Sequence, residues 1–255
     1  MRIDIIPRLG ILVLYLGCLA AAPVVAEAQG TDTDNGWKFR AAIYLWGAGI
    51  GGTTQRGDEI DIGFSDITSN LDMAFMGTFV ARKSKWSLAA DAIYLDVSAD
   101  KAGTIGGTSI PDNADAAVQG WVLNLNGART VFTNHRASVD ILVGARYLDA
   151  ESKLTLSLGA AGPTGSVTDS ASVWDGVVGV KGNLNITEKW YLPYHFDVGT
   201  GQSDFTWQGL AGVGYRFKPV DVVLAYRHIY WDFKSDSAFR DLTFSGPVLG
   251  VVFKF

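Results

Sequence analysis

A two-residue alternation of side chains, repeated along most of the chain, restricts the fold more than any other feature of the sequence. In the segment TWQGLAGVGYRF, alternate residues of an extended strand would fall on opposite faces. One face carries Trp207, Gly209, Ala211, Val213, Tyr215 and Phe217, and the other carries Gln208, Leu210, Gly212, Gly214 and Arg216. The ten steps from Trp207 to Phe217, at about 3.3 Å each and a tilt of about 40°, rise about 25 Å. That height matches the apolar band of a strand that crosses a membrane.

The same alternation predicts ten strands. They fall near residues 37–49, 71–83, 85–98, 116–132, 136–150, 172–186, 189–201, 206–217, 220–233 and 242–255. The segments KSK, NHR, TEK and KP form very short connections, whereas residues 50–70, 99–115, 151–171 and 234–241 form longer ones. Bacterial barrels combine an even number of strands with short periplasmic turns and longer extracellular loops. We therefore expect an all-β fold, a transmembrane antiparallel up-and-down β-barrel of about ten strands, with eight or twelve as alternatives.

Composition limits the class of protein further. The net charge of −5 argues against a nucleic-acid partner. Charged residues make up 18% of the chain, against a usual value of about 25%. After residue 28, no uncharged apolar stretch is long enough to cross a bilayer as a helix. An apolar chain without such a helix is expected to cross a membrane with strands.

The first 28 residues have the pattern of a secretory signal peptide. Two arginines precede an uncharged run over residues 9–26, and the segment AEA that follows resembles a cleavage site. A retained membrane anchor and lipoprotein processing at Cys18 are the alternatives. We expect residues 1–28 to be removed and residues 29–255 to form one barrel domain. The processed chain would then have no cysteine for a disulfide, a metal site or a nucleophile.

The last strand ends in GPVLGVVFKF, with apolar residues at every second position and an aromatic residue at the end. This pattern resembles the signal by which outer-membrane barrels are delivered to their insertion machinery. The resemblance implies that the signal consists of Leu249, Val251, Phe253 and Phe255. We expect the protein to lie in the outer membrane with both termini in the periplasm. Its expected partners are outer-membrane lipid and the insertion machinery.

Longer segments carry a second resemblance. SDFTWQGLAGVGYRF, VDVVLAYRHIYWDF and LTFSGPVLGVVFKF, with FSDITSNLDMAFMGTFVARKSKW upstream, resemble a largely uncharacterised family of proteobacterial outer-membrane β-barrel proteins. The resemblance covers most of residues 29–255 and implies the barrel fold. It brings no catalytic motif with it.

The tryptophans fall near the predicted strand ends. Strands that leave the short-turn side begin with Trp37, Trp86 and Trp190, and strands that leave the long-loop side begin with Trp121, Trp174 and Trp207. Trp46 and Trp231 lie near upper strand ends. We expect all eight at the two membrane interfaces, where an amphipathic ring is favoured.

The inward face of the predicted barrel is polar. Its expected charged residues and histidine form a lumen polar network of Lys38, Arg40, Asp91, Asp140, Arg146, Asp175, Lys181, His195, Asp197, Arg216, Asp221 and Arg227. Asn124, Asn126, Asn183 and Gln208 share this face. Interleaved opposite charges in a narrow lumen are expected to pair with one another. A ten-stranded barrel is also much narrower than a 16-stranded porin, so no wide water channel is expected.

The best catalytic candidate is the segment YHFDVGTGQSD. His195 and Asp197 would face the same way, and Ser203 would follow in the next loop. A serine, a histidine and an aspartate are the residue types that catalyse acyl transfer in hydrolases. The spacing is not specific, and the chain has no G-x-S-x-G motif. We expect neither a catalytic site nor a cofactor. No metal site is expected either, because His135, His195 and His228 lie on separate strands or turns.

Two loop features complete the sequence hypotheses. Arg56-Gly57-Asp58 matches the short RGD adhesion motif, although Gly-Asp is also common in turns. The segment FSDITSNLD predicts a short helix with Ser65 as its cap, and we interpret it as a partial plug of the lumen.

The sequence therefore predicts a membrane barrel that is structural, or that passes or binds a small solute, without a large open pore. One alternative is a surface hydrolase that uses the His195–Asp197 pair. The other is a surface interaction protein that acts through the Gly-, Ser- and Thr-rich loops at 99–115 and 151–171. The sequence leaves the oligomeric state open.

Overall fold

A computed structural model describes residues 36–55, 57, 59–63, 71–100, 104–105, 108–109, 114–157 and 164–255. The predicted signal peptide lies outside these residues. Residues 64–70 of the predicted plug segment also lie outside them, whereas its last two residues, Leu71 and Asp72, are described. Arg56 and Asp58 of the RGD motif are likewise outside the described residues.

The described residues form fourteen strands in chain order. They are β1 (Trp37–Trp46), β2 (Gly49–Thr54), β3 (Glu59–Ile62), β4 (Leu71–Lys83), β5 (Trp86–Asp100), β6 (Thr104–Ile105), β7 (Thr108–Ser109), β8 (Ala114–Thr133), β9 (Ala137–Ser157), β10 (Thr164–Asn185), β11 (Trp190–Gly201), β12 (Phe205–Arg216), β13 (Val220–Asp232) and β14 (Phe239–Lys254). Among the described residues, no helix is long and apolar enough to cross a membrane.

Ten of these strands close into an antiparallel barrel, as predicted. The order is β1, β4, β5, then β8 to β14, and each strand pairs with the next. β1 pairs with β14 from Arg40↔Lys254 to Trp46↔Val248. Two backbone hydrogen bonds between Phe39 and Phe255, of 3.2 and 2.9 Å, complete this seam at the short-turn end. Closure pairs the backbone groups of both strands that would otherwise be sheet edges, which is what a membrane-spanning sheet requires.

The extracellular ends of three strands differ from the prediction. β9 and β10 continue past the predicted limits and pair up to Ser157↔Thr164, so much of the expected loop at 151–171 is an extended hairpin. β8 accompanies β9 up to Ala114↔Leu156. The expected loops at 50–70 and 99–115 also contain the short strands β2, β3, β6 and β7. The pattern missed these extensions because a strand outside the bilayer has no lipid-facing side to impose apolar alternation.

The outer surface is an apolar band with aromatic rings at both ends. Large apolar side chains such as Ile43, Leu45, Val143 and Leu224 are exposed on the outside. The outer aromatic rings also pair across strands, for example Tyr94 with Trp121 and Tyr147 with Trp174, at centroid distances of 4.7 Å.

The expectation that all eight tryptophans lie at interfaces is wrong for two of them. Trp46 and Trp231 are 6% and 0% exposed and point into the lumen. Trp46 lies two residues after Tyr44, and Trp231 lies four residues after Arg227, so each tryptophan shares the inward face of its strand with that residue. Proximity to a strand end therefore gave their height in the barrel correctly but not the face on which they lie.

Candidate functional site: the barrel lumen

One ion pair at mid-height joins opposite walls of the lumen. Arg227 of β13 donates from Nη2 to Asp91 Oδ2 of β5 over 2.7 Å. Tyr44 of β1 and Thr78 of β4 each donate to the other oxygen of Asp91 over 2.7 Å. Gln208 of β12 accepts from Arg227 Nη2 at 2.8 Å. Both charged groups therefore have several hydrogen-bond partners in addition to each other, as buried ions require.

A second ion pair lies beside the first. Arg146 of β9 is fully buried and donates from Nη2 to Asp197 Oδ1 of β11 over 2.6 Å. Its Nη1 atom donates to Thr206 of β12 over 2.9 Å. The second oxygen of Asp197 lies 2.5 Å from His195 Nε2. The guanidinium and the carboxylate thus compensate each other inside the barrel.

Asn124 of β8 connects the two ion pairs. Its amide nitrogen donates to Asp91 Oδ2 over 3.2 Å, and its oxygen accepts from Arg146 Nε at 2.8 Å. We call the connected set the lumen plate, and its side chains come from eight of the ten barrel strands. The plate consists of Tyr44, Thr78, Asp91, Asn124, Arg146, His195, Asp197, Thr206, Gln208 and Arg227.

Apolar side chains cover the plate on its long-loop side. The Trp46 ring lies 5.1 Å from the Arg227 guanidinium, and the Trp231 ring lies 5.7 Å from that of Arg146. Phe244 packs against both tryptophans. We call this buried group the apolar cap, and it also includes Leu148, Val173, Ile229, Phe233, Phe239 and Leu242. Each arginine is therefore held between a carboxylate and an aromatic face, which is favourable for a desolvated guanidinium.

Smaller polar groups lie below the plate. Arg82 and Thr130 both contact Asp140, at 2.5 and 2.7 Å. Lys254 donates to Asp221 over 2.5 Å, and Arg216 stacks 4.4 Å from the ring of Tyr191. These contacts pair the charged side chains of the lower lumen with polar or aromatic partners.

The structure places the predicted lumen residues as follows. Seven of them belong to the ion pairs already described, namely Asp91, Asp140, Arg146, His195, Asp197, Asp221 and Arg227. Lys181 donates to Asn126 over 2.8 Å, and Asp175 accepts from the Ser203 backbone at 2.9 Å. Lys38 and Arg40 lie at the short-turn mouth with exposed side chains.

Sequence reasoning omitted several residues that complete the network. The predicted set lacks four residues that lie on the inward face of their strands, namely Arg82, Tyr44, Thr78 and Thr206. Tyrosine and threonine are common on both faces of barrel strands, so residue type gave no signal. Strand parity, applied to every position of β1, β4 and β12, would have identified them.

The catalytic candidate is not assembled in the structure. The Ser203 hydroxyl is buried and has no hydrogen-bond partner among the described residues, so it is not bonded to His195. Its backbone nitrogen is bound to Asp175 instead. The geometry therefore lacks the nucleophile–base contact that acyl transfer uses. Within the described ranges, no group of three His, Cys, Asp or Glu side chains could hold a metal ion.

A closed antiparallel barrel with an apolar aromatic-edged exterior and a polar interior is an integral outer-membrane β-barrel protein. Leu249 and Phe253 lie on the outer surface, where Phe255 is also exposed. The four short turns, at residues 84–85, 134–136, 186–189 and 217–219, lie at the end of the barrel that holds Trp37 and Phe255. By the usual asymmetry of these proteins, that end faces the periplasm.

No protein-family model matches the chain, and no curated protein matches it. Solved structures of similar shape include Ail, the attachment invasion locus protein of Yersinia pestis, at 11% identity and a TM-score of 0.38, covering 87% of this chain and 99% of that one. The translocator domain of the autotransporter NalP from Neisseria meningitidis is 17% identical with a TM-score of 0.44, covering 88% of this chain and 90% of that one. Outer membrane protein AlkL is 11% identical with a TM-score of 0.37, covering 92% and 96%. The functions in these names describe those proteins, and the similarity to this chain concerns the fold alone.

Proposed function

We propose that this outer-membrane barrel has no large open pore and that its lumen is a structural core, through which a small solute passes only if the lumen plate rearranges. The observation that supports this is the connection of eight strands by one hydrogen-bonded network, with the apolar cap directly above it. An ion crossing this layer would have to displace a buried arginine from its carboxylate. Breaking such a pair leaves a desolvated charge, which costs about 3–5 kcal/mol.

Solute uptake into proteoliposomes tests this proposal. Vesicles containing the refolded wild-type protein should swell in arabinose no faster than protein-free vesicles. The double variant Arg146→Ala/Arg227→Ala removes both guanidinium groups from the plate and should increase the swelling rate. Arg136→Ala, in an exposed periplasmic turn, is the matched control and should behave as wild type. Rapid swelling with wild-type protein would contradict the proposal.

We further propose that the protein is not an enzyme. The unconnected Ser203 hydroxyl supports this, because His195, although it contacts Asp197, has no hydrogen bond to the serine that it would have to activate. Hydrolysis of a p-nitrophenyl ester or a phospholipid by the folded protein, lost in both His195→Ala and Ser203→Ala, would contradict it.

A second candidate function is binding at the extracellular surface, and the unequal strand lengths favour it. β8, β9 and β10 contain 20, 21 and 22 residues, whereas β11 and β12 contain 12 each. The three long strands therefore form a wall that stands above the rest of the rim. Above the lumen plate, the sequence of this wall contains Asp115, Asp149, Glu151 and Asp169 against Lys153, which favours cationic partners.

Neutralising the acidic groups of this wall tests the binding role. The variant Asp115→Asn/Asp149→Asn/Glu151→Gln removes three negative charges and should fold, because none of these residues belongs to the lumen plate or the cap. Cells displaying it should adhere to polylysine-coated surfaces less than cells displaying the wild-type barrel. Equal adhesion would exclude the wall as the binding surface.

A further inference from the structure

The outer surface carries an apolar groove within the membrane band. The groove measures about 360 Å³ and is lined mainly by Phe79, Leu88, Ala90, Leu125 and Gly127. The strand register explains its shape, because Ala90 lies between Phe79 and Leu125, and Gly127 lies beside Leu88. Two small residues thus form the floor, and three large side chains form the walls.

Cationic side chains lie at the periplasmic foot of this groove. Trp86, one outward position below Leu88, pairs with Lys83 on one side and with Arg129 on the other. The Arg129 guanidinium lies 5.6 Å from the Trp86 ring, and Lys83 Nζ lies 5.8 Å from the Trp37 ring. The adjacent turn adds Lys85, whose carbonyl accepts from the backbone of Thr130 at 2.8 Å.

No acidic residue lies next to these cations in the sequence. Residues 81–90 and 127–139 contain no aspartate or glutamate. The side chains of Lys83, Lys85 and Arg129 are all exposed. Tryptophan rings mark the level of the lipid headgroups, so these cations lie where phosphate groups of the periplasmic leaflet are found.

We propose that the foot and the groove form one binding site for an anionic phospholipid of the periplasmic leaflet. The headgroup phosphate binds Lys83, Lys85 and Arg129. One acyl chain runs upward past Trp86 and lies over Gly127 and Ala90. The continuous path from cations to groove favours a lipid over a free anion, because a free anion would make no use of the apolar part.

The same rim provides a control site. Lys189 Nζ lies 6.0 Å from the ring of Tyr215, so this lysine also combines a cation with an aromatic ring at the periplasmic level. Its neighbour Glu188 carries the opposite charge. Lys218 lies in the next turn. Removing these two lysines removes as much charge as removing Lys85 and Arg129, without touching the foot of the groove.

Native mass spectrometry of the detergent-solubilised protein, titrated with phosphatidylglycerol or phosphatidylcholine of identical acyl chains, tests the site. Wild type should bind phosphatidylglycerol more tightly. Each Lys or Arg near an anionic surface contributes about fivefold in affinity, so Lys85→Gln/Arg129→Gln should weaken phosphatidylglycerol binding about 30-fold. Lys189→Gln/Lys218→Gln should leave that binding unchanged.

Filling the groove tests the acyl-chain part. A Cβ atom at Gly127 would lie 3.7 Å from Leu88 Cδ2, which is an ordinary contact, so the backbone here has room for a side chain. Gly127→Leu extends that side chain into the groove. This variant should weaken the binding of both lipids and should still bind phosphatidylglycerol more tightly than phosphatidylcholine. A heat-dependent gel shift verifies that each variant is folded.

Three results would overturn the proposal. Equal binding of the two lipids by wild type would show that the cations do not select the headgroup. An equal loss in the Lys189/Lys218 variant would show nonspecific attraction to the whole rim. A wild-type dimer signal that disappears in Gly127→Leu, with lipid binding unchanged, would assign the groove to a second copy of the chain.

Discussion

Removing the carboxylate of Asp197 should destabilise the barrel strongly, because it leaves Arg146 charged and without an anionic partner. Arg146 is 0% exposed and donates three hydrogen bonds. Only one of them, the 2.6 Å contact with Asp197, goes to a charged group. Arginine does not deprotonate in proteins. Breaking a buried pair from one side costs about 3–5 kcal/mol. We expect Asp197→Ala to lower the free energy of unfolding by that amount.

Urea-dependent unfolding in phospholipid vesicles, followed by tryptophan fluorescence, measures this loss. Asp236→Ala, in the exposed β13–β14 loop, is the matched control and should stay within about 0.5 kcal/mol of wild type. The double variant Arg146→Met/Asp197→Leu removes both charges and should recover at least half of the loss. If Asp197→Ala were as mild as Asp236→Ala, Arg146 would have to be solvated, and the plate would not be a dry, paired layer.

Three further substitutions probe other parts of the structure by the same unfolding measurement. His195→Ala should cost only about 1 kcal/mol, because Asp197 keeps its bond to Arg146; a loss as large as that of Asp197→Ala would show that the histidine is the main partner. Leu249→Arg places a charge on the exposed lipid-facing side and should cost about 2–4 kcal/mol, whereas no loss would mean that this face does not contact lipid. Deletion of Phe255 removes two backbone hydrogen bonds to Phe39 and should cost about 1–3 kcal/mol; an unchanged stability would show that the seam ends higher up.

Strand number, strand order and face could be predicted from the sequence because the bilayer imposes them. A residue in a membrane-spanning strand contacts either lipid or the lumen, and the two environments select opposite side chains. The apolar series around Leu249 and the polar series around Arg146 both follow from this rule. The rule ends at the membrane surface, which is why the upper parts of β9 and β10 were expected to be loop.

Pairing within the lumen could not be predicted in the same way. Parity places Asp91 and Arg227 on the inside, but they are 136 positions apart in sequence. Their contact depends on the strand tilt and on the register of β5 and β13 around the whole barrel. The inward position of Trp46 was missed for a different reason, since an aromatic ring near a strand end suits both the interface and the lumen.

Single-channel recording in planar bilayers tests the central claim, a lumen closed by the plate and the cap, most directly. Refolded wild-type protein, shown to be inserted by its resistance to external protease, should give no discrete openings. The Arg146→Ala/Arg227→Ala variant should give small, ion-selective openings, and Arg136→Ala should remain silent. Discrete openings of wild-type protein, unchanged in the double variant, would contradict the claim and show that ions follow a path that these arginines do not close.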